Sequence, residues 1–158
     1  MNDMMFDAVR VTLAQARRAH SLVVMSHPAV GADEWRRFLR TTIHARRKDS
    51  GIVALKDNRR CIHALFTFRI ASALGRGATL QVTEIAAMRL PGTVLVKSLM
   101  RFADDLALEL ALPSIAIEMQ PSDIWSLDRH VMEQRGFTVD RVLMRGSARQ
   151  RVAPPVDG

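Results

Sequence analysis

The residues of this chain that could do chemistry gather in one stretch, Glu84 to Leu95. Glu84 stands near the end of a strand-like run, Ala78–Met88. A carboxylate there can take a proton from an amine if burial raises its pKa. The bend Arg89-Leu90-Pro91-Gly92-Thr93 follows and leads into a helix-like stretch, Val94–Leu110. A strand that turns through glycine into a helix presents backbone N–H groups and the positive end of a dipole, which suits phosphate. Gly92, Thr93, Val94 and Leu95 carry the amides that a helix start leaves unpaired, and Arg89 adds charge. Pro91 has no N–H to offer, and β-branched Val94 holds the backbone further from a ligand than glycine would. The bend points to a nucleotide-like ligand held by a loop of unusual composition.

Other reactive side chains are more scattered. His63, on the strand-like run Cys61–Ala71, is an alternative base, against the simpler reading of a histidine hydrogen-bonded at the sheet surface. His130 lies beside Asp128 and Arg129 on an amphipathic stretch, where a solvent-facing role competes with acid–base work. Cys61 has Arg59 and Arg60 beside it, which lowers a thiol pKa, but no base partner is in sight. Ser98, Ser114 and Ser122 sit in no nucleophile motif. His20, His27 and His44 lack ligand-like spacing, so no metal is expected. The chain has no tyrosine at all, which removes the phenolic O–H from the set of proton donors.

The elements that must position these groups alternate in type. Phe6–Val24 reads as a helix through Phe6, Val9, Leu13 and Ala16, and Pro28 breaks the chain after it. Ala32–Arg46 is a second helix, with Trp35, Phe38, Leu39, Thr42 and Ile43 as its stripe and Asp33 and Glu34 in its first turn. Trp35 anchors that helix or lines an acceptor cleft. Gly51–Leu55 and Cys61–Ala71 read as a hairpin joined by Lys56–Arg60. Ile62, Ala64, Phe66, Phe68 and Ile70 share one face of the longer strand, opposite His63 and Leu65. Leu80, Val82, Glu84, Ala86 and Met88 share a face of the next strand. The central helix buries Leu95, Leu99, Phe102, Ala103, Leu106 and Leu110. Ser114–Met119 is a short buried strand, Ser122–Arg135 a last helix capped by Ser122 and ended by Gly136, and Phe137–Met144 a closing strand.

Composition bounds the function. Hydrophobic residues at 48% and charged residues at 25% over 158 positions describe one globular domain, expected over 1–146 with a flexible tail at 147–158. No apolar run is long enough for a membrane span. A single cysteine excludes a disulfide framework and fits a reducing, cytoplasmic setting. The net charge of +7 is uneven: residues 1–100 carry sixteen basic and seven acidic side chains, and the remainder seven and nine. Such a surface attracts polyanions. Aromatics at 5% are too few to stack bases, so nucleic acid is not the expected partner.

The order helix, helix, three strands, bend, helix, strand, helix, Gly136-Phe137, strand resembles the GNAT superfamily of N-acetyltransferases over roughly Phe6–Met144. Its markers are the strand–bend–helix at Glu84–Leu99 and Arg135-Gly136-Phe137 after an amphipathic helix. The resemblance implies an α/β fold with a mixed, mostly antiparallel central sheet flanked by helices on both faces and splayed open beside the fourth strand. It implies acetyl-CoA or another acyl-CoA as cosubstrate, without a metal. Backbone groups of Ile85, Ala86 and Ala87 would follow the pantetheine arm, and Arg89, Gly92, Thr93 and Val94 the pyrophosphate. Glu84 would take the proton of an amine acceptor, directly or through water. The family's loop reads Arg/Gln-x-x-Gly-x-Gly/Ala. Here Arg89 and Gly92 are kept and Val94 replaces the second glycine. Anchoring on Leu99 instead puts Pro91, Val94 and Val96 at the Arg and Gly positions. The tyrosine that many members use toward the departing thiolate is Met132 here, and a thioether donates no proton. That role is absent, or moved to His130, Ser126 or water, and Trp125 stands near the family's usual Asn. Two readings follow: an N-acyltransferase working by direct attack, or a degenerate module that keeps the fold and acts in acyl-CoA binding, through protein partners or as a homodimer.

Overall fold

A computed structural model describes residues 5–44, 46–75, 77–88, 90, 93–119 and 127–139. In chain order these form β1 (Asp7–Arg10), α1 (Leu13–Arg18), α2 (His20–Ser26), α3 (Ala32–Thr42), β2 (Ser50–Lys56), β3 (Ile62–Ala73), β4 (Gly77–Ala87), α4 (Val96–Glu109), β5 (Ser114–Glu118) and α5 (Leu127–Gln134). The closing strand expected over Phe137–Met144, the cap at Ser122 and the tail at 147–158 lie largely or wholly outside the described residues. The described part of that last segment, Phe137–Val139, is not strand.

The single long helix expected over Phe6–Val24 is corrected to a strand and two short helices. Thr12 and Gln15 form a capping box: the Thr12 hydroxyl accepts from Gln15 N–H, and the Gln15 side chain accepts from Thr12 N–H at 3.0 Å. That reciprocal pair starts a helix at Leu13 and leaves the residues before it outside. Asp7–Arg10 then pairs antiparallel with Val53–Lys56 of β2. Ala19 ends α1 and opens α2.

The sheet runs β1-β2-β3-β4-β5, antiparallel throughout except for the parallel pair β4–β5. Helices cover both faces. On one, α4 lays Leu95, Leu99, Phe102, Ala103, Leu106 and Leu110, the stripe read from sequence, against Phe66, Phe68, Leu80 and Val82. On the other, α1, α2 and α3 bury Ala16, Leu22, Val23, Trp35 and Leu39 against Ile52, Ala54, Leu65 and Ala86. The Trp35 indole N–H donates to Ala16 C=O at 3.1 Å, tying α3 to α1. Trp35 is therefore an anchor of the helical layer. Among the described residues no helix is long and apolar enough to cross a membrane.

Two bulges overturn the simple alternation expected for β3 and β4. Leu55 faces Ala64 but Lys56 faces Ile62, so His63 is an extra residue. Leu65 faces Ala86 but Phe66 faces Glu84, so Ile85 is another. One inserted residue moves every later side chain to the opposite face. Ile62 accordingly leaves the face of Ala64, Phe66 and Phe68, and Ala86 and Met88 leave that of Leu80 and Val82.

Candidate functional site

The site begins where the described pairing of β4 with β5 ends. Their pairing runs from Thr79–Ser114 to Thr83–Glu118 and stops. β4 continues through Glu84, Ile85, Ala86 and Ala87, past the described register with β5. An unpaired strand edge is a row of backbone donors and acceptors ready for an extended, amide-bearing ligand. The bulge at Ile85 falls inside this open stretch. Met88 N–H donates to His63 C=O at 2.7 Å. Antiparallel alternation then turns the N–H and C=O of Ala87, one residue earlier, away from β3 and toward the opening.

A distant histidine holds the bulge. His27, just beyond α2, meets Ile85 C=O through Nε2 at 2.7 Å. A carbonyl only accepts, so Nε2 carries the proton. Sequence reading gave His27 no role, and no local signal marks it, because the contact joins residues 58 positions apart. His20, on α2, meets Val30 C=O through Nε2 at 3.0 Å. His20 thus ties the α2–α3 connection back to α2, and His27 ties it to β4.

Glu84 directly follows Thr83, the last β4 residue in the described register with β5. It is 6% exposed and paired in register with Phe66, on the face covered by α4. His63 is also buried, edge-on to the Phe6 ring with centroids 5.1 Å apart. Its Nε2 lies 3.0 Å from Asp57 Oδ2, and its Nδ1 is buried without a partner among the described residues. Asp57 also accepts from the N–H groups of Arg59 and Cys61, each at 2.9 Å. The His63 bond first, then these amides, hold its carboxyl below the ordinary value of 3.8. Cys61 is exposed and His63 is not at the sheet surface. His130 sits exposed on α5, 3.0 Å from the Gln134 amide. Met132 is half-buried on the same helix. Arg89, Pro91, Gly92, Trp125 and Ser126 lie outside the described residues.

The start of α4 differs from the sequence reading, which left its amides free. Thr93 N–H donates to Leu90 C=O at 3.1 Å. Leu95 N–H and Val96 N–H both donate to Oδ1 of Asp128, at 2.8 and 3.3 Å. Asp128 belongs to α5 and is 3% exposed. A carboxylate oxygen accepting two amides satisfies orphan donors at a helix N-terminus. Helix α4 has no acidic residue in its first turn, and Leu95 offers no side-chain cap, so Asp128 supplies what the local sequence lacks. Of the described amides at this helix start, those of Thr93, Leu95 and Val96 are thus engaged within the chain. Among the described residues no group of three or more His, Cys, Asp or Glu is placed to hold a metal ion.

No family model matches this chain, and no curated protein matches it in sequence. Solved structures do match it closely in shape. A glucosamine-6-phosphate N-acetyltransferase from Arabidopsis thaliana superposes with a TM-score of 0.63 at 16% identity, over 90% of this chain and 98% of that one. An aminoglycoside N-acetyltransferase in complex with CoA gives 0.67 at 11% identity, over 94% and 96%. A transcriptional regulator from Bacillus halodurans gives 0.70 at 11% identity, over 91% and 100%. The mixed five-stranded sheet, covered by helices on both faces, is the GNAT fold.

Proposed function

We propose that this GNAT-fold chain transfers an acyl group from a CoA-type thioester to an amine. The observation that carries the reading is the end of the described β4–β5 register at Thr83, followed on β4 by buried Glu84 and the bulge at Ile85. A pantetheine arm carries two amides and extends like a strand, so it can complete the ladder along Glu84–Ala87. Backbone groups of Ile85, Ala86 and Ala87 hold it, and the Ala87 N–H is available to polarise the thioester carbonyl. The amine nitrogen attacks the carbonyl carbon, a C–N bond forms and the C–S bond breaks. Glu84, directly or through one water, takes the amine proton. His63, oriented by Asp57, is the alternative acceptor. The departing thiolate takes its proton from water or from His130, since Met132 has none to give. Of the amides expected at the diphosphate, that of Val94 has no partner among the described residues, whereas that of Thr93 is engaged by Leu90 C=O. Gly92 and Arg89 are proposed beside it.

Two neighbours in shape are N-acetyltransferases and one of these holds CoA, which supports the reading. The engaged start of α4 and the missing tyrosine favour a second one, a module that keeps the fold without turnover. Thermal unfolding with acetyl-CoA, CoA or no ligand separates them from a chain that binds no thioester. Ligand at 100 times its dissociation constant adds about 2.7 kcal/mol of stability. No rise in melting temperature at millimolar ligand overturns the thioester reading. A rise without product on a panel of amines favours the module.

A further inference from the structure

We infer that the outer side of α1 and α3, with the linker that follows α3, is a docking surface for an acidic segment of a partner protein. This is independent of the thioester reading. Residues 13–48 carry eight basic side chains and two acidic ones. Arg17 and Arg18 lie in the last turn of α1 and are exposed. The bond from the Trp35 indole to Ala16 C=O sets that turn beside α3. On α3, Trp35 and Leu39 are buried, whereas Arg36, Arg37 and Arg40 are exposed. At about 100° per residue these three fall within about 100° of arc around the helix axis. Arg46, Arg47 and Lys48 are exposed in the linker. Arg36 pairs with Asp33, and the other seven side chains make no hydrogen bond or ion pair among the described residues. The linker beneath them is ordered. The Arg10 guanidinium donates to the carbonyls of Arg47, Lys48 and Ser50 at 2.7, 3.1 and 3.1 Å, and Arg47 N–H donates to His44 C=O at 3.0 Å. A basic run on a fixed backbone loses less freedom on binding than a loose one.

Unpaired guanidinium groups fit carboxylates or phosphates, each through two parallel bonds. Three features favour carboxylates on a protein. Seven of the eight cations are arginine, which is enriched in protein interfaces where lysine is depleted. Phe38, the exposed ring of α3, falls on the flank opposite Arg36 and Arg40, so no ring stands between them to stack a base. Asp33 and Glu34 are exposed in the first turn of α3. A backbone with a phosphate at every step meets repulsion there, whereas a peptide can place its carboxylates clear of them.

The test is fluorescence anisotropy of a labelled glutamate-rich peptide titrated with the full chain, at low salt and at about 0.15 M salt. Binding is expected, and it should weaken as salt rises. Arg37→Gln combined with Arg40→Gln should weaken it by about fivefold. Arg59→Gln combined with Arg101→Gln removes the same charge from exposed positions elsewhere and should change it by less than about twofold. All four side chains are exposed, so both double variants should melt at the wild-type temperature. Equal losses in the two double variants overturn the inference, because net charge alone then explains the binding. No binding at low salt overturns it as well. Duplex DNA of the same charge that binds more tightly than the peptide overturns the partner class and assigns the surface to nucleic acid. The thioester reading stands or falls separately, by its own titration.

Discussion

Replacing His27 with alanine should loosen the bulge that shapes the candidate site. The lost bond, His27 Nε2–H to Ile85 C=O at 2.7 Å, is short, part-buried and made to a carbonyl with no β3 residue opposite. An ordinary hydrogen bond contributes about 0.5–1.5 kcal/mol, and stranding a buried acceptor costs about 1–3 kcal/mol. Water reaches the partly open imidazole site, so the lower part of that range applies, about 1–2 kcal/mol. In a domain of this size that lowers the melting temperature by about 2–8 °C. Urea unfolding of His27→Ala and His27→Gln gives the comparison. The glutamine amide places an N–H near the Nε2 position and should recover most of the loss. Because the bulge sits in the open stretch of β4, thioester affinity should fall in the alanine variant and return in the glutamine one. An alanine variant as stable as the wild type would refute the reasoning, as would equal losses in both.

Glu84→Gln should cut turnover on any amine acceptor by about 10²-fold or more while leaving thioester affinity unchanged, since it removes a proton acceptor and little volume. Undiminished turnover in a steady-state assay moves the role to His63. Asp57 predicts a pH dependence. Its carboxyl is lowered in the fold, so the stability it contributes is complete above the ordinary value of 3.8 and is lost as pH falls through the lower folded value. Asp57→Asn should therefore flatten the acid limb of urea midpoints measured from pH 6 to 3, and parallel limbs would contradict this. Gly51→Ala should destabilise by about 1–3 kcal/mol. Its new methyl would meet the Phe68 ring at 3.1 and 3.3 Å, and a normal melting temperature would contradict it.

The layers of this fold were legible wherever one local period ran unbroken. The stripe from Leu95 to Leu110 has helical spacing and is the buried face of α4. The hairpin β2–β3 and the short strand β5 announced themselves through apolar runs between turn residues. β1 was missed because Phe6, Val9, Leu13 and Ala16 fall at helical spacing by coincidence. The better signal was Thr12-x-x-Gln15, which fixes the helix start at Leu13. The bulges at His63 and Ile85 left no trace, since one inserted residue changes register without changing composition. The site divides in the same way. The stretch Glu84–Ala87 was singled out as a candidate from its place before the bend. Asp128 was not, because its contact with α4 spans 32 and 33 positions. A faint hint existed: α4 starts with neither a capping side chain nor an acidic first turn, so its amides had to find partners elsewhere.

The central claim is that the open edge of β4 holds the thioester arm, and backbone amide chemical shifts read it directly. Titrating S-acetylpantetheine into isotopically labelled protein should move the amide signals of Ile85, Ala86 and Ala87 most, with smaller changes at Thr83 and Glu118, the last pair of the described β4–β5 register. Shifts confined to other elements, or none at saturating ligand, would contradict the account.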